Sequence, residues 1–133
     1  MKLDHIGVAV RDLEQRLAIY RDALGLGGIH IEEVPTEQAR VGFIPLGDSQ
    51  LELLEPTSAS GVLARFMDKR GEGIHHIALA VDDCQAALDR LKAAGIRLVD
   101  ETPRPGSRGT TVAFIHPSAT GGVLIELVEH PKS

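Results

Sequence analysis

Between His5 and Val10 the chain alternates: His5, Gly7 and Ala9 are polar or small, while Ile6, Val8 and Val10 are bulky aliphatics. A period of two places the two sets on opposite faces of a β-strand. The alternation returns at His76, Ala78 and Ala80 against Ile77, Leu79 and Val81. An amphipathic helix pattern follows each strand. Leu13, Leu17, Tyr20 and Leu24 keep helical spacing from an N-cap at Asp12 to a stop at Gly25, and Ala86, Leu88, Leu91 and Ala94 do so between Asp83 and Gly95. Three strand-like runs then complete each copy, at 28–33, 39–45 and 50–55 in the first and at 97–100, 110–116 and 123–129 in the second. Each copy therefore reads βαβββ.

A unit of about 60 residues buries too little apolar surface to stand alone. The pattern predicts one α+β domain over 1–133: module one over about 1–56, a linker with a short helix (61–70, ended by Gly71) over about 57–72, and module two over about 73–130. The two modules are expected to join into a curved eight-stranded sheet with its helices on the outer face, the small residues of the other face leaving room for a ligand.

Composition removes several classes of function. Hydrophobic residues at 43% and charged residues at 25% are those of a globular protein. No apolar run approaches the ~20 residues of a membrane span, and strand-like sequence from Leu3 leaves no secretory leader pattern. A cytoplasmic protein with no membrane partner is expected. Cys84 is the one cysteine, which excludes an internal disulfide or a thiolate metal cluster. A net charge of −5 and four aromatic residues (Tyr20, Phe43, Phe66, Phe114) argue against nucleic acid as a partner.

The ends of the copies match as well. Gln50-Leu51-Glu52-Leu53-Leu54 parallels Leu124-Ile125-Glu126-Leu127-Val128, and the alternation puts Glu52 and Glu126 on the face that carries His5 and His76. The second copy has three more residues between its His and its Glu, accounted for by the longer 117–122 turn. A carboxylate in an apolar strand costs several kcal/mol unless it is paired, protonated or bound to a cation. Two imidazoles and two carboxylates on one concave face satisfy one another best around a six-coordinate divalent metal with positions left for water or substrate. A lone strand histidine is most often a surface or hydrogen-bonded group; the signal lies in four such residues at matching places of a repeat. His75 should point away from His76, and His30, His130, Glu32, Glu33, Glu55 and Glu129 read as solvated or edge positions. His116, beside the long turn, is a candidate ligand contact. Arg104 and Arg108 are candidate contacts for phosphates, although exposed arginines more often serve solubility. No Walker loop, dinucleotide fingerprint, Cys-x-x-Cys or nucleophile elbow is present.

The segments 3–10, 51–56, 73–78 and 114–117 leading into 121–127 resemble the vicinal-oxygen-chelate superfamily and, within it, the methylmalonyl-CoA epimerase family. The likeness spans nearly the whole chain; Gly73-x-His75-His76 followed by Gly121-Gly122-Val123-Leu124-Ile125-Glu126 is its most specific part. The resemblance implies paired βαβββ modules, a homodimer, an acyl-CoA substrate, and a divalent ion (cobalt, manganese, zinc, nickel or magnesium) held by His5, Glu52, His76 and Glu126. It also implies epimerisation at C2 of methylmalonyl-CoA, an isomerase reaction, with Glu126 as one proton-transfer base and Glu52 as a candidate for the other face. One proposed base of such epimerases falls on the strand over 40–45, and its matching position is read as Gly42. Rival readings are a lactoylglutathione lyase of the glyoxalase I type, and a ligand-sequestering protein of the bleomycin-resistance type without metal. An extradiol dioxygenase fits less well, since Glu52 would fill a position such an iron site leaves open.

Overall fold

The computed structural model describes residues 1–132. Its elements are β1 (Lys2–Ala9), α1 (Leu13–Leu17), β2 (His30–Val34), β3 (Ala39–Leu46), β4 (Ser49–Pro56), α2 (Val62–Arg70), β5 (Gly73–Ala80), α3 (Cys84–Ala93), β6 (Arg104–Pro105), β7 (Thr111–Ile115) and β8 (Ile125–Glu129). Both expected βαβββ modules are present, with α2 between them. The strands follow the order β2-β3-β4-β1-β5-β8-β7-β6. Among the described residues no helix is long and apolar enough to cross a membrane.

The chain divides into two compact units, residues 5–75 and residues 1–4 with 76–133. In the first, β1 pairs parallel with β4 and sets Gly7 beside Glu52, while β3 pairs antiparallel with β4 and sets Phe43 beside the same Glu52. In the second, β5 pairs parallel with β8 and sets Ala78 beside Glu126, while β7 sets Phe114 beside Glu126. The repeat thus extends to register: each carboxylate lies between a small residue and a phenylalanine.

In residues 5–75, Val10, Leu13, Leu17, Ile44 and Leu53 form the core under α1, as the alternation requires. A second core of Ala9, Val41, Phe43 and Leu54 packs against Leu63 and Met67 of α2. Since Leu54 shares a face with Glu52, the linker helix covers one end of the inner face, whereas the expectation placed every helix outside. In the other unit Cys84 and Leu88 of α3 pack on Leu98, Ala113, Ile115 and Leu127.

Both helices begin on two acids. Asp12 accepts from the Gln15 N–H at 3.1 Å and Asp83 from the Ala86 N–H at 3.0 Å. Glu55 accepts from the Leu13 N–H and Glu129 from the Cys84 N–H, each at 2.8 Å. Glu55 and Glu129 are therefore not the solvated edge positions expected; they satisfy backbone donors that the first helical turn leaves open.

Four elements differ from the sequence reading, the last strand only in beginning at Ile125 rather than Val123. After Leu17 the first helix widens into a π-helical stretch, Ala18–Ala23, with the Leu24 N–H bonded to the Ile19 carbonyl. Widening rotates later residues off the 3.6-residue face, which leaves Leu24 64% exposed. The second strand begins at His30, two residues later than expected. The run 97–100 is not a paired strand: it makes one isolated bridge, Leu98 to Ile115, and the edge strand is Arg104–Pro105, pairing with β7. Asp100 is the reason, because its side chain takes the Phe114 N–H at 2.8 Å while the Val99 and Asp100 N–H groups both reach the Phe114 carbonyl.

Candidate metal centre

Each unit holds one of the two expected histidine–carboxylate pairs. In residues 5–75 the His5 Nδ1 lies 3.3 Å from the Glu52 Oε2, and the Gln50 side-chain amide donates to the same oxygen at 3.0 Å. In the other unit the His76 Nε2 lies 3.1 Å from the Glu126 Oε1. All four residues are buried, at 4–7% exposure, on strands whose remaining inner-face residues are mostly apolar. Parallel pairing makes this contact possible: β1 runs alongside β4 and β5 alongside β8, so a histidine on one strand reaches a glutamate near the start of the other across a fixed register.

The donor chemistry fits a divalent cation. Two ligands on adjacent corners of an octahedron, each ~2.1 Å from an ion, lie ~3.0 Å apart, close to the spacing within each pair. Imidazole and carboxylate together suit zinc, cobalt, nickel or manganese better than magnesium, which prefers oxygen alone.

The structure places the other candidates as follows. The His116 Nδ1 accepts from the Ser118 N–H at 3.0 Å and caps the turn Pro117–Ala119. Arg108 sits in the turn Ser107–Gly109 with φ of 56°. Arg104 carries its guanidinium carbon 5.4 Å from the centre of the Phe114 ring, and its Nε donates to the Asp100 Oδ1 at 3.2 Å. His75 lies edge-on against Phe66 at 4.7 Å, away from His76 as expected. Two histidines expected to be solvated have partners: His30 meets Glu32 at 3.1 Å, and His130 is bonded to Asp4.

Gly42 is not a position from which a carboxylate could reach the inner face. A Cβ there would lie 3.2 Å from the Leu13 Cδ1 and 3.7 Å from the Leu17 Cδ2, beneath α1. The β3 residues on the face of Glu52 are Ala39, Val41, Phe43 and Pro45, none of them acidic, so this strand offers no carboxylate there. The correction needed the register; the motif alone left the position one residue off the inner face. Asp100, which anchors both Arg104 and Phe114, was missed because its partners are distant in sequence and no repeat marks it.

The sequence matches the model of the Glyoxalase/Bleomycin resistance protein/Dioxygenase superfamily over residues 4–114. It is 40% identical over 128 residues to an ethylmalonyl-CoA/methylmalonyl-CoA epimerase of Cereibacter sphaeroides, covering 95% of this chain and 96% of that one. A methylmalonyl-CoA epimerase of Mycobacterium tuberculosis superposes with a TM-score of 0.89 at 42% identity, covering 98% and 88%. A variant of the Streptomyces coelicolor enzyme, solved in complex with 2-nitronate-propionyl-CoA, does so with a TM-score of 0.91 at 34% identity, covering 97% and 94%. With two βαβββ modules, a duplicated buried histidine–carboxylate pair and likeness along its full length, the chain belongs to this superfamily and, within it, to the methylmalonyl-CoA epimerase family.

Proposed function

We propose that this protein is a metal-dependent methylmalonyl-CoA epimerase that inverts C2 by removing and returning its proton. The reading includes one divalent ion held jointly by His5, Glu52, His76 and Glu126, an acyl-CoA substrate contacted from the segment carrying Arg104, Arg108 and His116, and a homodimer. The observation that carries it is the duplicated buried pair in a chain 40% identical to an ethylmalonyl-CoA/methylmalonyl-CoA epimerase over 96% of that protein's length. Exposed strand edges at β2 and β6 favour a dimer.

The C2 proton lies between a thioester and a carboxylate and becomes acidic only when negative charge on the thioester oxygen is stabilised. A bound divalent cation supplies that stabilisation as a Lewis acid. Glu126 then has a general base's work on one face: one of its carboxylate oxygens takes the proton from C2 of one epimer and, in the reverse direction, delivers a proton to that face of the enolate, a contribution of ~10²–10⁴-fold. His76 orients that carboxylate, at 3.1 Å from Oε1. Glu52, the equivalent residue of the first copy, serves the opposite face, where Val41 and Phe43 provide no acid. Gln50, donating to the Glu52 Oε2, fixes its rotamer. The apolar neighbours Ala9, Val41, Phe43 and Leu54 keep water from that end of the inner face.

The test is uptake of deuterium from D2O at C2 of methylmalonyl-CoA, with and without chelator, beside an assay with methylglyoxal and glutathione. Chelator-sensitive exchange of both epimers is expected. Lactoylglutathione formation without exchange would replace this reading by the lyase, and stable metal-free protein inactive in both assays would favour ligand sequestration.

A further inference from the structure

Four side chains in the second unit form a continuous contact path. Asp100, with its side chain only 16% exposed, holds the Phe114 N–H with one oxygen and the Arg104 Nε with the other. The Arg104 guanidinium lies over the Phe114 ring. That ring stands edge-on to His76, centroids 5.8 Å apart and planes at 82°. Phe114 is registered with Glu126 and shares its face, so Arg104 is an inner-face cation separated from the His76–Glu126 pair by one aromatic ring. Its side chain is 42% exposed, and with Nε taken by Asp100 the paired Nη groups remain to meet a ligand. Arginine presents such a fork to a carboxylate in a fixed plane.

The first copy provides a comparison at the equivalent place. There the ring stacked on Phe43 is His30, centroids 6.2 Å apart, and it is paired with Glu32. Both groups are acid-paired, but the matching register positions differ in the sign of their charge: Arg104 lies opposite Val112, where the first copy sets Glu32 opposite Val41.

We infer that Arg104 receives the free carboxylate of a malonyl-type thioester and that Asp100 is its positioning residue. The inference rests on the epimerase reading and adds to it the direction in which the substrate lies. Phe114 forms the floor under the guanidinium, and Asp100 sets both from a single carboxylate. An alternative source of the same anionic chemistry is a phosphate of the CoA moiety, which the test separates.

The experiment measures binding of malonyl-CoA and acetyl-CoA by calorimetry to the metal-loaded protein; the two ligands differ only in the free carboxylate. Wild type should prefer malonyl-CoA. Arg104→Gln should weaken malonyl-CoA at least 10-fold and acetyl-CoA less than 2-fold, and Arg104→Lys should restore part of the loss. Asp100→Asn keeps an acceptor for the Phe114 N–H but not the charge that holds Arg104; it should lower the malonyl/acetyl preference several-fold at unchanged metal content, which a merely structural role would not do. Equal weakening of both ligands by Arg104→Gln would assign the arginine to the CoA phosphates and overturn the inference, as would no effect on either. An unfolded Asp100→Asn would overturn the positioning role and leave the Arg104 variants to decide the rest. Failure of wild type to bind either thioester or to exchange C2 protons would overturn the epimerase reading itself, an outcome read without any variant.

Discussion

Truncating Glu55 should destabilise the protein by about 2 kcal/mol although the residue contacts neither histidine–carboxylate pair. Its carboxylate accepts the N–H of Leu13, the first amide of α1, on a residue with no solvent exposure. In Glu55→Ala that donor is left buried and unsatisfied, at a cost of about 1–3 kcal/mol. Loss of a negative charge at the helix N-terminus adds about 0.3–1 kcal/mol. Glu55→Gln keeps an acceptor and loses only the charge, so it should cost about 0.5–1 kcal/mol. The second partner of Glu55, Arg40 at 3.8 Å, forms a partly exposed pair of the kind worth about 0–1 kcal/mol, and Arg40→Ala should fall at the low end. Urea unfolding at constant slope measures all three, and with a slope of about 2 kcal/mol per molar the alanine variant should shift the midpoint by about 1 M. Glu129→Ala should behave alike, because Glu129 holds the Cys84 N–H at the same distance. Identical midpoints for wild type and Glu55→Ala, or equal losses for the alanine and glutamine variants, would refute the capping argument.

Glu126→Gln should retain most bound metal, since an amide oxygen still coordinates, yet lose C2 exchange by at least ~10²-fold; Glu52→Gln should keep metal and lose less, both read by metal analysis and deuterium exchange. Gly42→Glu should unfold the protein or lower its melting temperature steeply without changing proton transfer, because the new carboxylate would lie under Leu13 and Leu17; a stable variant with altered exchange would show the glycine to face inward. Burial pushes the Cys84 thiol up to about 11, with Glu129 and Asp83 adding to the effect, so thiol reagents should leave the native protein unlabelled at pH 8 and label it in denaturant. The folded state then keeps its thiol proton where the unfolded chain has released it, and stability should fall as pH rises from about 9 toward 11, as denaturant midpoints across that range would show. Adding zinc or cobalt to chelator-stripped protein should raise the melting temperature, and by less in His76→Ala.

The features legible in the sequence are those written locally. Alternation places His5 with Gly7 and Ala9, and Asp12 and Asp83 stand where an N-cap must stand; both readings need only a few neighbouring residues. The two histidine–carboxylate contacts were legible because duplication repeats their spacing. What escaped depends on contacts between residues far apart in the chain. The acceptor for Leu13 is 42 residues away, and the side face of Gly42 follows only from its packing against α1. The run 97–100 has the aliphatic content of a strand, but Asp100 spends its side chain on Phe114 and displaces the edge strand to Arg104–Pro105. The π-helical stretch has no sequence mark, and Leu24 moved into solvent because of it.

Residues 1–4 belong with residues 76–133, and Asp4 is bonded to His130, 126 positions later. During synthesis the stretch 5–75 has all its own strands and both its core clusters once α2 and the start of β5 have left the ribosome, and it is free to fold then. The other unit is stitched from two stretches far apart in the sequence. Residues 1–4 must wait for His130, made 126 positions later, before the Asp4 contact can form, a closure of high sequence separation and so a slow one. The order in which the halves become complete is thus set by a strand that begins in one unit and continues into the other.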